Sequence, residues 1–206
     1  AKAMAAVQKG DQPVVLRYVG QAQKWEALES WTLDRLISEF DGGGLGGEVN
    51  VRLAGSANVV QCNRQHPLIR AEHFVAPSVT RQMRASEFVA RIRADRVACG
   101  YSPLVFGDEE RLYLQSHATA GMLADCVVPQ EWQALGVEVS GCTNLWVSTG
   151  GLVSPLHYDG THSFLAQVRG RKRMVLWDAS FLDSFYVYPP DHPLYRRSRL
   201  DIQVPC

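Results

Sequence analysis

The residues best suited to chemistry lie in the stretch SPLHYDGTHSFLAQVRGRKRMVLW, which runs from Ser154 to Trp177. It contains a His-x-Asp triplet, His157 and Asp159, between two apolar segments. On an extended strand, residues i and i+2 point to the same face, so one imidazole nitrogen and one carboxylate oxygen can reach one ion. That ligand mix suits Fe(II) bound by two histidines and one carboxylate, with open positions for oxygen chemistry. The alternative is a strand-end histidine that hydrogen-bonds a nearby acid.

Two glycine-containing turns in the same stretch predict a three-stranded meander. Gly160 directly follows Asp159, and Gly170 precedes the last apolar segment. If the chain reverses at both turns, the third strand starts level with the first, and Lys172 lies near Ser154. A lysine inside a barrel is costly unless it meets an anion, which suggests a bound carboxylate. Equally, Lys172 can belong to an exposed basic turn, RGRKR, that protects strand edges.

Sequence periodicity predicts the elements that must position these residues. Helices are expected at WTLDRLISEF with Thr32 as N-cap, at SEFVARIRAD with Ser86 as N-cap, and before Pro129. The segment from Asn58 to Arg81 is interpreted as irregular. The predicted strands are PVVLRYV, EVNVRLA, EERLYLQ, TNLWVSTGG, SPLHYD, SFLAQVRG and RMVLWD.

The spacing of these elements divides the chain into two parts. A mixed α/β part, residues 1–140, leads into a β-rich part, residues 141–206, whose short strands are typical of a sandwich or barrel. A length of 206 residues and a hydrophobic content of 46% suit one domain with a sizeable core.

Charge and cysteine content narrow the possible partners and compartment. Lys+Arg and Asp+Glu both number 21, so the net charge of zero indicates neither nucleic acid nor an anionic membrane as a partner. No apolar run approaches the roughly 20 residues that span a bilayer. The five cysteines are scattered without a C-x-x-C pair, which fits a reducing compartment, cytoplasmic or nuclear. The N-terminal segment lacks the apolar core of a secretory signal, and the chain does not begin with Met.

Several motifs occur together in one order: MRASEFVARI, DEERLYLQ, NLWVSTGGLVSPLHYD and YVYPPDHPLYRRSRLD. With the stretch that follows His157, they resemble the JmjC-type, cupin-like 2-oxoglutarate-dependent oxygenases, and more closely the asparaginyl hydroxylases of the factor-inhibiting-HIF type. The resemblance covers most of the chain from PVVLRYV onward. It implies a mainly β fold with flanking helices, a double-stranded β-helix or jelly roll.

The resemblance implies a role for each matching position. His157 and Asp159 would be two ligands of an iron site, and Lys172 would pair with the distal carboxylate of 2-oxoglutarate. Arg196 matches a position that contacts the peptide substrate, whereas Arg197 replaces an amide there. Side-chain hydroxyls that would help to hold the cosubstrate belong to Tyr113, Ser154 and Ser163, the last at a position where relatives have an amide.

The implied reaction uses Fe(II), 2-oxoglutarate and O2 to hydroxylate a protein or peptide side chain of the Asn, Asp or His type, and releases succinate and CO2. The family's third iron ligand is a histidine in the second half of the barrel, and this chain ends at Cys206 before that region. We therefore expect an incomplete barrel that alone binds metal weakly and catalyses poorly. Family members often form homodimers.

Two other functions remain open at this level. One is a cupin-like binding module that has kept the fold and lost the chemistry. The other is an oxygenase with a different substrate, either a methyl-lysine or a modified RNA base, although the neutral charge balance argues against RNA.

Overall fold

The computed structural model of the protein describes residues 9, 12–16, 22–42, 47–98, 111–128, 130–133, 143–161 and 163–201. Its helices are α1 (Ala27–Ser30), α2 (Leu33–Asp41), α3 (Pro67–Arg70), α4 (Ala85–Ala98), α5 (Ala120–Ala124) and α6 (Gln130–Gln133). Its strands are β1 (Glu48–Ala54), β2 (Val79–Arg84), β3 (Arg111–His117) and β4 (Asn144–Ser148). Short 3-10 helices cover Ala22–Lys24 and Ala179–Phe185.

The four strands form one antiparallel sheet in the order β2-β1-β3-β4. At its centre, Val51 of β1 lies opposite Leu114 of β3, and Leu114 lies opposite Val147 of β4. Because side chains alternate along a strand, this register places one set of apolar residues on one face and polar residues on the other.

The apolar face of the sheet is covered by α2 and α4. Val51 and Leu114 are fully buried in it, and α4 contributes Phe88 and Val89, both with no exposed surface. The remaining strand and helix residues of this core are Leu36, Phe40, Val49, Leu53, Met83, Ala85, Ile92, Leu112, Met122 and Leu145. The predicted apolar stripe of α4 therefore forms the centre of the core.

Several predicted elements are confirmed. Helix α2 begins after Thr32, whose hydroxyl accepts a hydrogen bond from the Arg35 N–H at 3.1 Å. The strands predicted at EVNVRLA, EERLYLQ and TNLWVSTGG correspond to β1, β3 and β4, and the helix predicted before Pro129 is α5. Helix α3 and the first residues of strand β2 lie in the segment interpreted as irregular, so that interpretation was wrong for residues 67–70 and 79–81.

Two other predictions differ from the structure. Residues 13–16 of PVVLRYV form no strand, and the rest of that motif lies outside the described residues. SFLAQVRG and RMVLWD have no regular secondary structure and belong to no ladder in the described part of the chain, so the predicted meander is not formed. The bend predicted at Gly170 is present, with a φ of 76°.

The cap of α4 comes from a distant residue rather than from Ser86. The Asp41 carboxylate, at the end of α2, accepts hydrogen bonds from the backbone N–H groups of Ala85 at 3.0 Å and Ser86 at 3.2 Å. A carboxylate at a helix N-terminus also interacts favourably with the helix dipole. Burial raises the pKa of Asp41, but the hydrogen bonds from Ser86 and Ala85 outweigh it and hold the pKa below its ordinary value.

This cap makes stability dependent on pH. Because the folded-state pKa of Asp41 is lowered, its contribution is present above the unfolded-state pKa and is lost as the pH falls through the folded value. Asp41→Ala should lower the free energy of unfolding by about 1 kcal/mol at pH 7, and by less below about pH 4. Urea denaturation at pH 7 and pH 3 measures this, with exposed Asp201→Ala as control. A difference that is the same at both pH values would contradict the assignment.

The sheet crosses the predicted boundary between residues 140 and 141, since β4 pairs with β3. The division into a mixed α/β part and a β-rich part therefore stays a prediction made from the sequence pattern. Among the described residues, no helix has the length and apolar content to cross a bilayer.

Candidate functional site

The face of the sheet opposite the core is polar and carries the candidate site. Arg52 of β1 lies directly opposite Tyr113 of β3, and Tyr113 lies opposite Ser148 of β4. Gln115 and Trp146 form the next cross-strand pair on this face. Residues two apart on a strand point to the same face, so Gln115 shares this face with Tyr113, and Trp146 shares it with Ser148.

An extended segment, residues 57–62, crosses this polar face and ties it to the C-terminal part of the described chain. The backbone of Val153 bonds both Ala57 and Val59, at 2.8 and 2.9 Å. The Gln61 amide donates to the Gln115 side-chain oxygen at 2.9 Å. The Gln61 backbone oxygen accepts from Nε of Arg197 at 2.6 Å. The segment therefore fixes the position of Arg197 relative to β3.

His157 and Asp159 lie on a segment held by a partner that the sequence did not reveal. His157 forms an antiparallel bridge with Arg197. On either side of it, the Tyr158 N–H donates to the Arg196 oxygen at 3.1 Å, and the Ser198 N–H donates to the Leu156 oxygen at 2.9 Å. The predicted pairing of SPLHYD with the following segment is replaced by pairing with residues 196–198.

The imidazole of His157 is oriented by one local hydrogen bond. Its Nδ1 lies 2.7 Å from the backbone oxygen of Pro155, which can only accept, so Nδ1 carries the proton. In the neutral ring, Nε2 then keeps its lone pair, which is the arrangement that metal-binding histidines use. Both His157 and Asp159 are exposed, so an ion can reach them. These two side chains fit an iron half-site in donor type and tautomer.

His157 and Asp159 are two candidate metal ligands, and the described residues do not add a third beside them. Within ranges 47–98, 111–128 and 143–201, excluding the undescribed position 162, no group of three or more His, Cys, Asp or Glu side chains could hold an ion. The third ligand that the resemblance implies is therefore not supplied by the described part of the chain.

Lys172 reaches the polar face, although not by the predicted meander. Its Nζ lies 5.9 Å from the ring centroid of Trp146 on β4, a cation–π contact. Tyr113 lies on the same face, opposite Ser148, two residues along β4 from Trp146. Burial raises the pKa of Tyr113, and nearby Arg52 opposes this only in part, so its hydroxyl stays a donor at neutral pH. The structure thus brings Lys172 and Tyr113 to one face.

The other predicted residues are less constrained. Ser154 and Ser163 are exposed on either side of the His157 segment. Arg196 has a φ of 69°, in the left-handed region. Its Nη1 would lie 2.8 Å from a Cβ at Gly160, and its guanidinium lies 5.7 Å from the Tyr195 ring centroid. Arg196 therefore lies beside Gly160, the residue that follows Asp159, and its contact with a substrate stays a prediction.

The segment that contains Ser163 and Lys172 is anchored by contacts with the N-terminal helices. Nε and Nη2 of Arg169 donate to the backbone oxygens of Trp31 and Glu29, at 3.1 and 2.6 Å. The Phe164 ring stacks on Trp132 of α6 at a centroid distance of 5.5 Å. Side-chain anchoring at Phe164 and Arg169 thus takes the place of the strand ladder that the sequence predicted.

Sequence reasoning missed three residues that build the polar face: Arg52, Gln61 and Arg197. A signal for Arg52 existed, because the alternation in EVNVRLA places it on the face opposite Val51 and Leu53. Gln61 lies in irregular chain with no periodicity. Arg197 was noted only as a replacement for an amide, and its contacts depend on tertiary structure.

The fold and this site can now be compared with known proteins. The profile of the Cupin-like domain family matches residues 1–205, and the chain therefore belongs to that family. An antiparallel sheet flanked by helices is consistent with a jelly roll, so the predicted fold class is confirmed.

The relatives in this family carry JmjC names. Jumonji C domain-containing protein 5 from Drosophila melanogaster is 25% identical over 195 residues, which is 92% of this chain and 42% of the relative. Lysine-specific demethylase JMJ30 from Arabidopsis thaliana is 28% identical over 64% of this chain and 29% of its own length. Lysine-specific demethylase 8 from Danio rerio is 40% identical over 30% of this chain and 15% of its own length. The chain thus spans less than half the length of these relatives. The predicted asparaginyl hydroxylase specificity finds no support in their names.

Proposed function

We propose that this chain is part of an Fe(II)- and 2-oxoglutarate-dependent oxygenase that acts on a protein side chain. The observation that carries the proposal is the link between the His157–Asp159 segment and the polar sheet face. Arg197, which pairs with His157, donates to Gln61, and Gln61 donates to Gln115 on the face that carries Tyr113 and that Lys172 contacts through Trp146. When bound, iron and 2-oxoglutarate would together allow O2 to oxidise a C–H group of the substrate.

The protein's own residues bind and orient in this function. Pro155 fixes the tautomer of His157, and the backbone pairing with Arg196 and Ser198 holds the ligand segment in place. Tyr113 donates a hydrogen bond to a cosubstrate carboxylate, and Lys172 supplies the opposite charge. Arg196, beside Gly160, is placed to contact the substrate next to Asp159.

Anaerobic addition of Fe(II) and 2-oxoglutarate to the complete oxygenase of which this chain is part tests the proposal. We expect a visible charge-transfer band and, after O2 is admitted, release of succinate. Lys172→Ala should weaken 2-oxoglutarate binding about tenfold or more, because it removes a charge-assisted contact. Exposed Arg171→Ala, one residue away, is the matched control and should bind as wild type does. No band, together with equal behaviour of Lys172→Ala and wild type, would reject the proposal in favour of a non-catalytic binding module.

Demethylation of lysine is the second candidate reaction, favoured by the names of two relatives as lysine-specific demethylases. Hydroxylation of an N-methyl group leads to loss of formaldehyde, whereas hydroxylation of a carbon side chain leaves the oxygen on the peptide. Mass spectrometry of a methyl-lysine peptide and an asparagine peptide after turnover therefore separates the two reactions. A loss of about 14 Da per methyl group indicates demethylation.

A further inference from the structure

Arg52 is a cation on the polar face whose charge is not neutralised nearby. Its Nη1 donates to the Ser78 hydroxyl at 3.2 Å, and its Nε is buried with no hydrogen-bond partner in the described part of the chain. Burial lowers the pKa of Arg52, which reflects the cost of removing a guanidinium from water. A buried donor without a partner is unfavourable, so an acceptor is expected at this position.

Arg197 is a second partly buried cation on the same side of the sheet. Its Nε donates to the Gln61 backbone oxygen at 2.6 Å, and its Nη2 lies 3.4 Å from the Gln61 side-chain oxygen. Both acceptors are neutral. Burial lowers the pKa of Arg197. The nearby Asp159 carboxylate raises this pKa, whereas the Arg52 guanidinium lowers it further, as expected of two cations that repel each other.

The segment that crosses the polar face connects the two arginines. Ser78, which accepts from Arg52, donates to the Val60 oxygen at 2.6 Å, and the next residue, Gln61, binds Arg197. Neither arginine has a carboxylate within 4.0 Å among the residues that the structure describes. Within the described part of the chain, these two cations therefore lie near further arginines and near one carboxylate, that of Asp159.

We infer that Arg52 and Arg197 form a carboxylate-binding subsite on the polar face, beside Tyr113 and separate from Lys172. The planar fork of a guanidinium matches the two oxygens of a carboxylate. Arg64 acts as a further cation on Arg52 and Arg196 on Arg197, so Asp159 leaves an excess of positive charge that a bound carboxylate would reduce. This inference rests on the proposed function, because that function defines where the ligand comes from. The carboxylate belongs either to the cosubstrate or to an acidic side chain of the protein substrate.

Calorimetric titration of the metal-free chain tests the subsite. The probes are 2-oxoglutarate, a short peptide with one central glutamate and blocked ends, and inorganic phosphate. We expect the wild-type chain to bind 2-oxoglutarate or the peptide, and Arg52→Gln and Arg197→Gln each to weaken that binding about tenfold or more. Arg70→Gln, an exposed arginine at the end of α3, makes the same charge change and should leave binding unchanged. The probe that loses affinity in both variants identifies the source.

A ligand-side control guards against variants that do not fold. The uncharged dimethyl ester of 2-oxoglutarate should not bind the wild-type chain, and circular dichroism reports whether each variant keeps its secondary structure. Absence of binding by the wild type to either carboxylate, or variants that bind as wild type does, would overturn the inference. Phosphate that binds as tightly as the carboxylates would overturn the ligand assignment. Because these titrations contain no iron, their outcome is separate from the iron-dependent test of the proposed function.

Discussion

Asp159→Ala is expected to lower the affinity of the chain for Fe(II) roughly a hundredfold or more, since loss of even an outer partner of a ligand lowers metal affinity about 10–100-fold. His157→Ala should have a similar effect, because each variant removes one of two donors on the segment paired with residues 196–198. Anaerobic titration of Fe(II) against a competing chelator measures the change. Both side chains are exposed, so the variants should keep the fold.

Matched controls separate ligand loss from loss of charge. Asp183→Ala removes an exposed carboxylate in the 3-10 helix Ala179–Phe185, and His73→Ala removes an exposed imidazole after α3. Both should bind Fe(II) as the wild type does. Equal affinity in wild type and Asp159→Ala would show that the triplet is a strand-end histidine near an acid, and not a metal half-site.

Phe88→Ala is expected to lower the free energy of unfolding by about 3–5 kcal/mol, the usual cost of removing a buried phenylalanine ring. Phe88 has no exposed surface and packs where α4 covers the sheet. Small domains are stable by only about 5–15 kcal/mol, so the variant should lie near the unfolding threshold. Urea denaturation followed by circular dichroism measures the shift in midpoint.

The control for this substitution is Val75→Ala. Val75 is 88% exposed, so its truncation removes little packing and should change the free energy of unfolding by less than about 0.5 kcal/mol. If the two variants had similar midpoints, α4 would not form the core of the folded chain, and the assignment of the apolar face would be wrong.

Elements with strong amphipathic patterns could be predicted from the sequence. Helix α2 and strands β1 and β3 alternate apolar and polar residues with the period of their own structure, so their core faces were readable. Strand β2 could not be recognised, because it is an edge strand in which Met83 is the only buried residue. The Asp41 cap was also invisible, since it joins residues 44 positions apart in sequence.

For the candidate site, residue types were easier to predict than their arrangement. The His-x-Asp triplet and Lys172 could be named from local sequence, but their neighbours depend on tertiary contacts. The apolar segment around Phe164 has the alternation of a strand, yet a strand also needs a partner with free backbone groups. Here Arg169 instead donates to the backbone of Glu29 and Trp31, and Phe164 stacks on Trp132 of α6. Arg197 could not be placed beside Gln61 without the fold.

The two faces of the sheet have one further consequence, for how such a protein can change. Val51 and Leu114 point to the face that packs into the core, whereas Arg52, Tyr113 and Gln115 point to the face that we propose binds ligands. Neighbouring positions on one strand are therefore under different constraints, one from core packing and the next from the proposed ligand binding. A library that varies only the outward positions of β1, β3 and β4 can redirect specificity while the helices keep their packing surface, so this sheet offers a scaffold on which new selectivity can be built without redesigning the core.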